Sequence, residues 1–220
     1  MTQTAVITGA SKGLGRALAI ALADRGWHLI VDARTAADLS TLAGELPTDA
    51  VTIPGDIADA THRHALAAAA ERVDLLVNNA STLGPTGLHP LADLPIEELA
   101  QIYRVNVLAP LTLTQLLLPK LAGPVINISS DAAAGHYETW GGYGSSKAAL
   151  DHLSGVLAAE HPTRHIYAFD PGDMRTEMHQ QAFPGEDISD RPEPKTVVPA
   201  LLTLIDERPA SGRYRLGDLS

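Results

Sequence analysis

The chain has 220 residues, 45% of them hydrophobic and 19% charged, which marks a folded protein with a sizeable core and excludes a disordered chain. Its formal net charge of −10 argues against nucleic acid or an anionic membrane surface as the main partner, while leaving room for a local basic pocket. The absence of cysteine excludes disulfides, thiol nucleophiles and thiolate-held metals.

Taken in order, apolar runs alternate with helical patterns. Strands are expected over residues 3–8, 28–32, 50–54, 73–77, 125–128 and 165–169, with a short edge strand at 214–216. Helices are expected over 13–25, 36–46, 58–71, 95–118 and 196–205, and from the Gly141-Gly142 pair to about residue 160. Strand-helix alternation with apolar strands predicts an α/β domain: a parallel sheet covered on both faces through right-handed crossovers. No linker or repeat divides residues 1–220. The polar segment 175–194, rich in Pro, Gly, Asp and Glu, predicts a flap over a pocket. The first apolar run, Ala5-Val6-Ile7, follows no basic and long apolar leader, and residues 105–118 are too short to span a bilayer, so a cytoplasmic protein is expected.

Chemistry concentrates between residues 128 and 147. Ser129 and Ser130 follow a strand and stand at its carboxyl end, the edge where open α/β sheets bind ligands. Tyr143 and Lys147 are four apart and share a helical face. A lysine ammonium one turn away favours a phenolate, and so is expected to bring the tyrosine from its ordinary pKa near ~10 towards a working range. At the other end of the chain the first strand runs into Thr8-Gly9-Ala10-Ser11-Lys12-Gly13-Leu14-Gly15, where glycines allow a tight turn and backbone amides approach a pyrophosphate at a helix amino terminus.

With this loop, Asn78-Asn79-Ala80, Ser130, Tyr143-x-x-x-Lys147 and Pro171-Gly172 all in order, the sequence resembles the short-chain dehydrogenase/reductase family over nearly its whole length. The resemblance implies a single-domain, Rossmann-like, doubly wound parallel sheet of about seven strands. It implies hydride transfer between a nicotinamide cofactor and a carbonyl or alcohol, with Tyr143 as acid/base, Lys147 as its activator and ribose contact, and Ser130 orienting the substrate. The thirteen-residue step from Ser130 to Tyr143 matches the family pattern and selects Ser130 over Ser129. Asn106 is implied as fourth member; Pro110 has no N–H to offer its carbonyl, which is thereby free to hold a water linking Lys147 to solvent.

Cofactor contacts are expected from Gly9, Ser11, Lys12, Gly13, Leu14, Gly15, Asp56, Ile57, Asn79, Ala80, Tyr143, Lys147, Pro171, Gly172 and Thr176. Relatives that prefer NAD place an acid where Ala33 stands. Here Arg34 follows instead and can meet a 2′-phosphate, with Lys12 adding a second charge, while Asp32 should point to the opposite face. NADP(H) is therefore expected over NAD(H). Position 81 is serine where the family usually has glycine.

Nine histidines invite a metal site, but His62 and His64 are two apart on a helix and do not share a face, so none is expected. His136, Tyr137 and Trp140 are expected in a loop walling the substrate pocket, and Asp151 and His152 read as surface residues. The helices around 97–118 and 143–159 are apolar on more than one side, which predicts a homodimer through them. A non-catalytic NADP(H)-binding sensor is the alternative, although it would have no need of Asn106, Ser130, Tyr143 and Lys147 together.

Overall fold

The computed structural model describes residues 2–219. Seven strands form one parallel sheet in the order β3-β2-β1-β4-β5-β6-β7: β1 (Thr4–Ile7), β2 (His28–Ala33), β3 (Ala50–Pro54), β4 (Leu75–Asn78), β5 (Val125–Ile128), β6 (Ile166–Asp170) and β7 (Gly212–Arg215). The order reverses beside β1, so a crevice opens where β1 and β4 part, as in other doubly wound folds.

Alternation along each strand builds two cores. Ala5, Ile7, Leu29, Val31, Leu75, Val77, Ile126, Ile128, Tyr167 and Phe169 face one side, where they meet α1 (Gly13–Asp24), α2 (Ala36–Glu45) and α8 (Val198–Glu207). Val6, Ile30, Leu76, Val125 and Ile166 face the other, against α3 (Ala60–Ala68) and α5 (Ala109–Leu117). Because both faces are covered, the strands read as almost unbroken apolar runs.

Three elements depart from the expectation. The helix foreseen over 95–118 is α4 (Ile96–Tyr103), a π-helical turn (Arg104–Leu108) and then α5. Pro110 cannot donate to the carbonyl of Asn106, and the register loosens by one residue: the Ala109 N–H reaches the Arg104 carbonyl. The segment 175–194 holds a short helix, α7 (Glu177–Ala182), capped by the Thr176 hydroxyl, which accepts from the His179 N–H at 3.1 Å. The last strand begins two residues earlier than expected, pairing parallel to β6 with Ala168 opposite Arg213. The helix α6 (Gly141–Glu160) follows β5 and carries Tyr143 and Lys147.

Candidate active site

The glycine loop between β1 and α1 is pinned from three sides. Asp32 Oδ1 accepts from the Gly9 N–H at 2.6 Å. The Asn79 side-chain amide donates to the carbonyls of Thr8 (2.9 Å) and Gly9 (3.0 Å), and the Asn79 and Ala80 N–H groups both donate to the Thr8 hydroxyl at 3.0 Å. Gly9 has φ +65, and a Cβ there would stand 2.9 Å from the Ala80 Cα; one on Gly15 would stand 2.7 Å from the Gly9 carbonyl oxygen. Only glycine fits either place. Gly15 thus serves the packing of the loop and does not line the cleft, whereas Gly9, Ser11, Lys12, Gly13 and Leu14 do.

That cleft, of about 460 Å³, runs along the carboxyl ends of the strands. Arg34, Asp56 and Ile57 line one end, Asn79, Ala80 and Ser129 the middle, and Ser130, Tyr143 and Lys147 the other, with Pro171, Gly172 and Thr176 along one side. The expected contacts are therefore brought together, with Gly15 and the buried Asn106 standing behind the surface. Arg34 is exposed and makes no ion pair with a described residue. The second expected cation is committed elsewhere: the Lys12 ammonium lies 2.9 Å from Glu177 Oε2 and 3.7 Å from Asp38 Oδ2, tying the loop to α7. Asp32 does turn from the face that holds Ala33, and its second oxygen meets His62 Nε2 of α3 at 2.9 Å, both side chains buried. This buried pair was illegible as a loop anchor because its members are thirty residues apart. A dinucleotide fits these residues: a pinned loop of backbone amides, an uncommitted guanidinium at one end, and a buried Ser129 hydroxyl on the cleft with no hydrogen-bond partner among the described residues. No group of three His, Cys, Asp or Glu able to hold a metal occurs among the described residues.

At the far end Tyr143 is 8% and Lys147 2% exposed. The Lys147 ammonium donates to the Ile128 carbonyl at 2.7 Å and lies 5.6 Å from the centre of the Tyr143 ring. Burial pushes the lysine down to about 8 and pushes the Tyr143 hydroxyl up to about 12. The net shift of the tyrosine is upward, against the expected lowering, because desolvation of the phenolate is its largest cause. What pulls the tyrosine down is the pair of hydroxyls beside it, Ser130 and Ser81, while Asp131 and Asp170 push it further up.

Ser81 therefore takes part in the site. Its hydroxyl donates to Asn106 Oδ1 at 3.1 Å. Asn106 is fully buried with every side-chain hydrogen-bonding direction used: Oδ1 also accepts from the Thr82 N–H (2.9 Å), and Nδ2 donates to the Thr82 carbonyl (2.9 Å) and the Ser146 hydroxyl (3.0 Å). It ties the loop after β4 to α6, so its side chain braces the tyrosine helix.

Ser130 accepts from the Ala132 N–H at 3.2 Å and donates its proton to Asp131 Oδ1 at 3.0 Å; Asp131 Oδ2 accepts from the Tyr137 hydroxyl at 2.9 Å. Trp140 lines the same end, its ring edge-on to Tyr143 at 5.7 Å and 72°. Leu83, Met178 and Ala182 complete an apolar wall. His136 and Tyr137 are exposed and lie outside this lining, against the expectation that both wall the pocket. Asp151 is no surface residue: its side chain is 16% exposed and Oδ2 accepts from Arg213 Nε of β7 at 2.8 Å. Arg213 Nη2 also donates to the Ser130 carbonyl (2.9 Å) and Asp170 Oδ2 (3.0 Å), and Asp170 Oδ1 accepts from the Gly172 N–H. One guanidinium thus joins the ends of β5 and β6 to α6. His152 is exposed, as expected.

A nucleotide-sized cleft over a pinned glycine loop, closed by a buried tyrosine and lysine, defines the class: a dinucleotide-dependent oxidoreductase on a Rossmann-like sheet. The short chain dehydrogenase family model matches residues 3–187, and the chain belongs to that family. It is 34% identical over 198 residues to a sepiapterin reductase of Xenopus laevis, covering 80% of this chain and 75% of that one. It is 37% identical over 161 residues to a D-erythrulose reductase of Gallus gallus, 71% and 64% of the respective chains. Among solved structures, a short chain dehydrogenase from Pseudomonas syringae superposes with a TM-score of 0.91 at 31% identity over 97% of this chain and 93% of that one. One from Shigella flexneri, complexed with NADP, gives 0.90 at 27% identity over 98% and 97%.

Proposed function

We propose that this chain is an NADPH-dependent reductase of small carbonyl compounds. The observation that carries the reading is the placement of Tyr143: a buried tyrosine with the Lys147 ammonium 5.6 Å from its ring centre, lining a cleft that also presents the uncommitted Arg34. NADPH held along the strand ends supplies hydride to the carbonyl carbon. The glycine loop meets the pyrophosphate, Asp56 and Ile57 the adenine, Arg34 the 2′-phosphate, and Thr176 with Pro171 and Gly172 the carboxamide. Tyr143 gives its proton to the developing alkoxide, Ser130 orients the substrate oxygen, and the Lys147 ammonium stabilises the phenolate left behind. The relatives named as reductases of sepiapterin and D-erythrulose, and the NADP-complexed neighbour, support the choice of direction and cofactor.

The segment 175–194 is proposed as a flap on the substrate side, held to the glycine loop by the Lys12–Glu177 pair. A homodimer through the outer faces of α4, α5 and α6 is part of the same reading, since Leu108 (51% exposed) and Val156 (40%) stand there. So is a cytoplasmic location. A panel of aldehydes and ketones with NADPH absorbance as readout tests the activity: reduction is expected, and Tyr143→Phe should lower turnover at least ~10²-fold with NADPH affinity little changed. Retained activity in that variant would mean that another group gives the proton.

A further inference from the structure

One carboxylate close to the reacting groups has no part in the proposed reduction. Asp151 lies four residues past Lys147 on α6, one turn further along the same face, with its side chain 16% exposed. Arg213 Nε satisfies Oδ2 at 2.8 Å; Oδ1 is buried and has no hydrogen-bond partner among the described residues. A carboxylate oxygen without a donor in the interior keeps its charge unscreened, and where water is excluded that charge acts strongly on a buried cation one turn away.

We propose that Asp151 is a positioning residue whose carboxylate holds Lys147 in the ammonium form that the catalytic tyrosine uses. The use of that ammonium rests on the reductase reading above, whereas the pairing of the two side chains stands without it. The charges gathered around α6 agree. Tyr143 and Asp151 share the helix with Lys147; Asp170 at the end of β6 and Arg213 on β7 pack against it, Asp131 follows β5, and the π-helical turn brings only the neutral Asn106. Two formal positive charges, Lys147 and Arg213, thus meet two negative ones, Asp151 and Asp170, while Asp131 is exposed and screened by water. Without the charge of Asp151 the cluster becomes net positive, and it sheds that excess at Lys147 because a guanidinium does not lose its proton. The Ile128 carbonyl, which accepts from Lys147 Nζ at 2.7 Å, can accept from the amine as well as the ammonium and so does not fix the charge. Burial drives the lysine towards the neutral amine, and Asp151 is the charge that opposes it.

The chain has four lysines, so protein labelled with carbon-13 at the lysine ε-carbon gives few enough NMR signals to follow singly, and Lys147→Met assigns the one in question. Lys147 is expected to lose its proton near 8 in the wild type and about one pH unit lower in Asp151→Asn, which keeps an acceptor for Arg213 and removes the charge. Asp151→Glu, which keeps the charge, should titrate close to the wild type. Mere loosening of the site would admit water and move the midpoint the other way, towards 10.5. Should Asp151→Asn fail to fold, Arg213→Gln leaves Asp151 unopposed and should raise the midpoint. With NADPH and the best ketone of the panel, the ratio of wild-type to Asp151→Asn kcat/KM should grow about threefold between pH 6 and pH 7.5, as a midpoint lower by about one unit requires. A midpoint in Asp151→Asn that stays or rises, a Glu variant that titrates with the Asn one, an Arg213→Gln midpoint that does not rise, or a kcat/KM ratio flat with pH would each overturn the inference. A protein that reduces nothing in the panel would sink the reductase reading, and the titration alone would then judge the pairing of Asp151 with Lys147.

Discussion

Lys147→Met should make the folded protein more stable while removing its catalytic competence. The lysine is 2% exposed, and burial brings its pKa from 10.5 down to about 8. At about 1.4 kcal/mol for each tenfold, that displacement costs the charged form about 3 kcal/mol. The Nζ bond to the Ile128 carbonyl is lost in the variant and returns about 1 kcal/mol of that, so a net gain of about 2 kcal/mol is expected at pH 7. The pH dependence separates this from ordinary repacking. Because the folded-state pKa lies below the unfolded one, the penalty is complete below pH 8, where both states carry the proton. It fades as pH rises and is gone above 10.5, where both are neutral. Wild-type stability should therefore climb relative to the variant between pH 8 and 10.5. Urea unfolding of both proteins at pH 7 and at pH 10.5 measures the effect as a difference of differences. A variant that is less stable at pH 7, by an amount independent of pH, would refute the reasoning.

Arg34→Ala should weaken NADPH binding about 10- to 100-fold and leave NADH almost untouched, since only the 2′-phosphate contact is removed; titration with both cofactors decides, and equal weakening would count against Arg34 as the phosphate contact. Ser81→Gly removes one of the two hydroxyls that pull Tyr143 down, so the rise of alcohol oxidation with pH should move to higher pH with little change in NADP+ affinity; an unmoved profile would leave Ser81 as loop packing. A mass measurement at micromolar concentration is expected to give a dimer, and Leu108→Glu with Val156→Glu should give a monomer that still binds NADPH.

The sheet was legible because each strand alternates between two covered faces: Leu29 and Val31 against Ile30, Leu75 and Val77 against Leu76. Tyr143, Lys147 and Ser130 were legible because their spacing along one strand-loop-helix unit carries the geometry with it. What escaped was contact between residues distant in the chain. Nothing local to Asp32 announces His62, and nothing local to Asp151 announces Arg213, 62 residues on. The break in the helix over 95–118 was half visible in Pro110, which removes a donor without revealing whether the turn before it tightens or loosens. The upward shift of Tyr143 was not legible because its largest cause, burial, depends on how distant parts of the chain pack around the ring and not on the spacing to Lys147.

Arg213 stands on the last strand, beyond the residues 3–187 that the family model matches, and still grips Ser130, Asp170 and Asp151. The strand and helix that form the glycine loop stand at the start of the chain, yet the helix packed on that face beside α1, α8, lies between β6 and β7. A chain cut off before β7 would therefore lose the guanidinium that joins the serine, the proline-glycine turn and the tyrosine helix, so the catalytic end of the cleft depends on the last edge of the sheet.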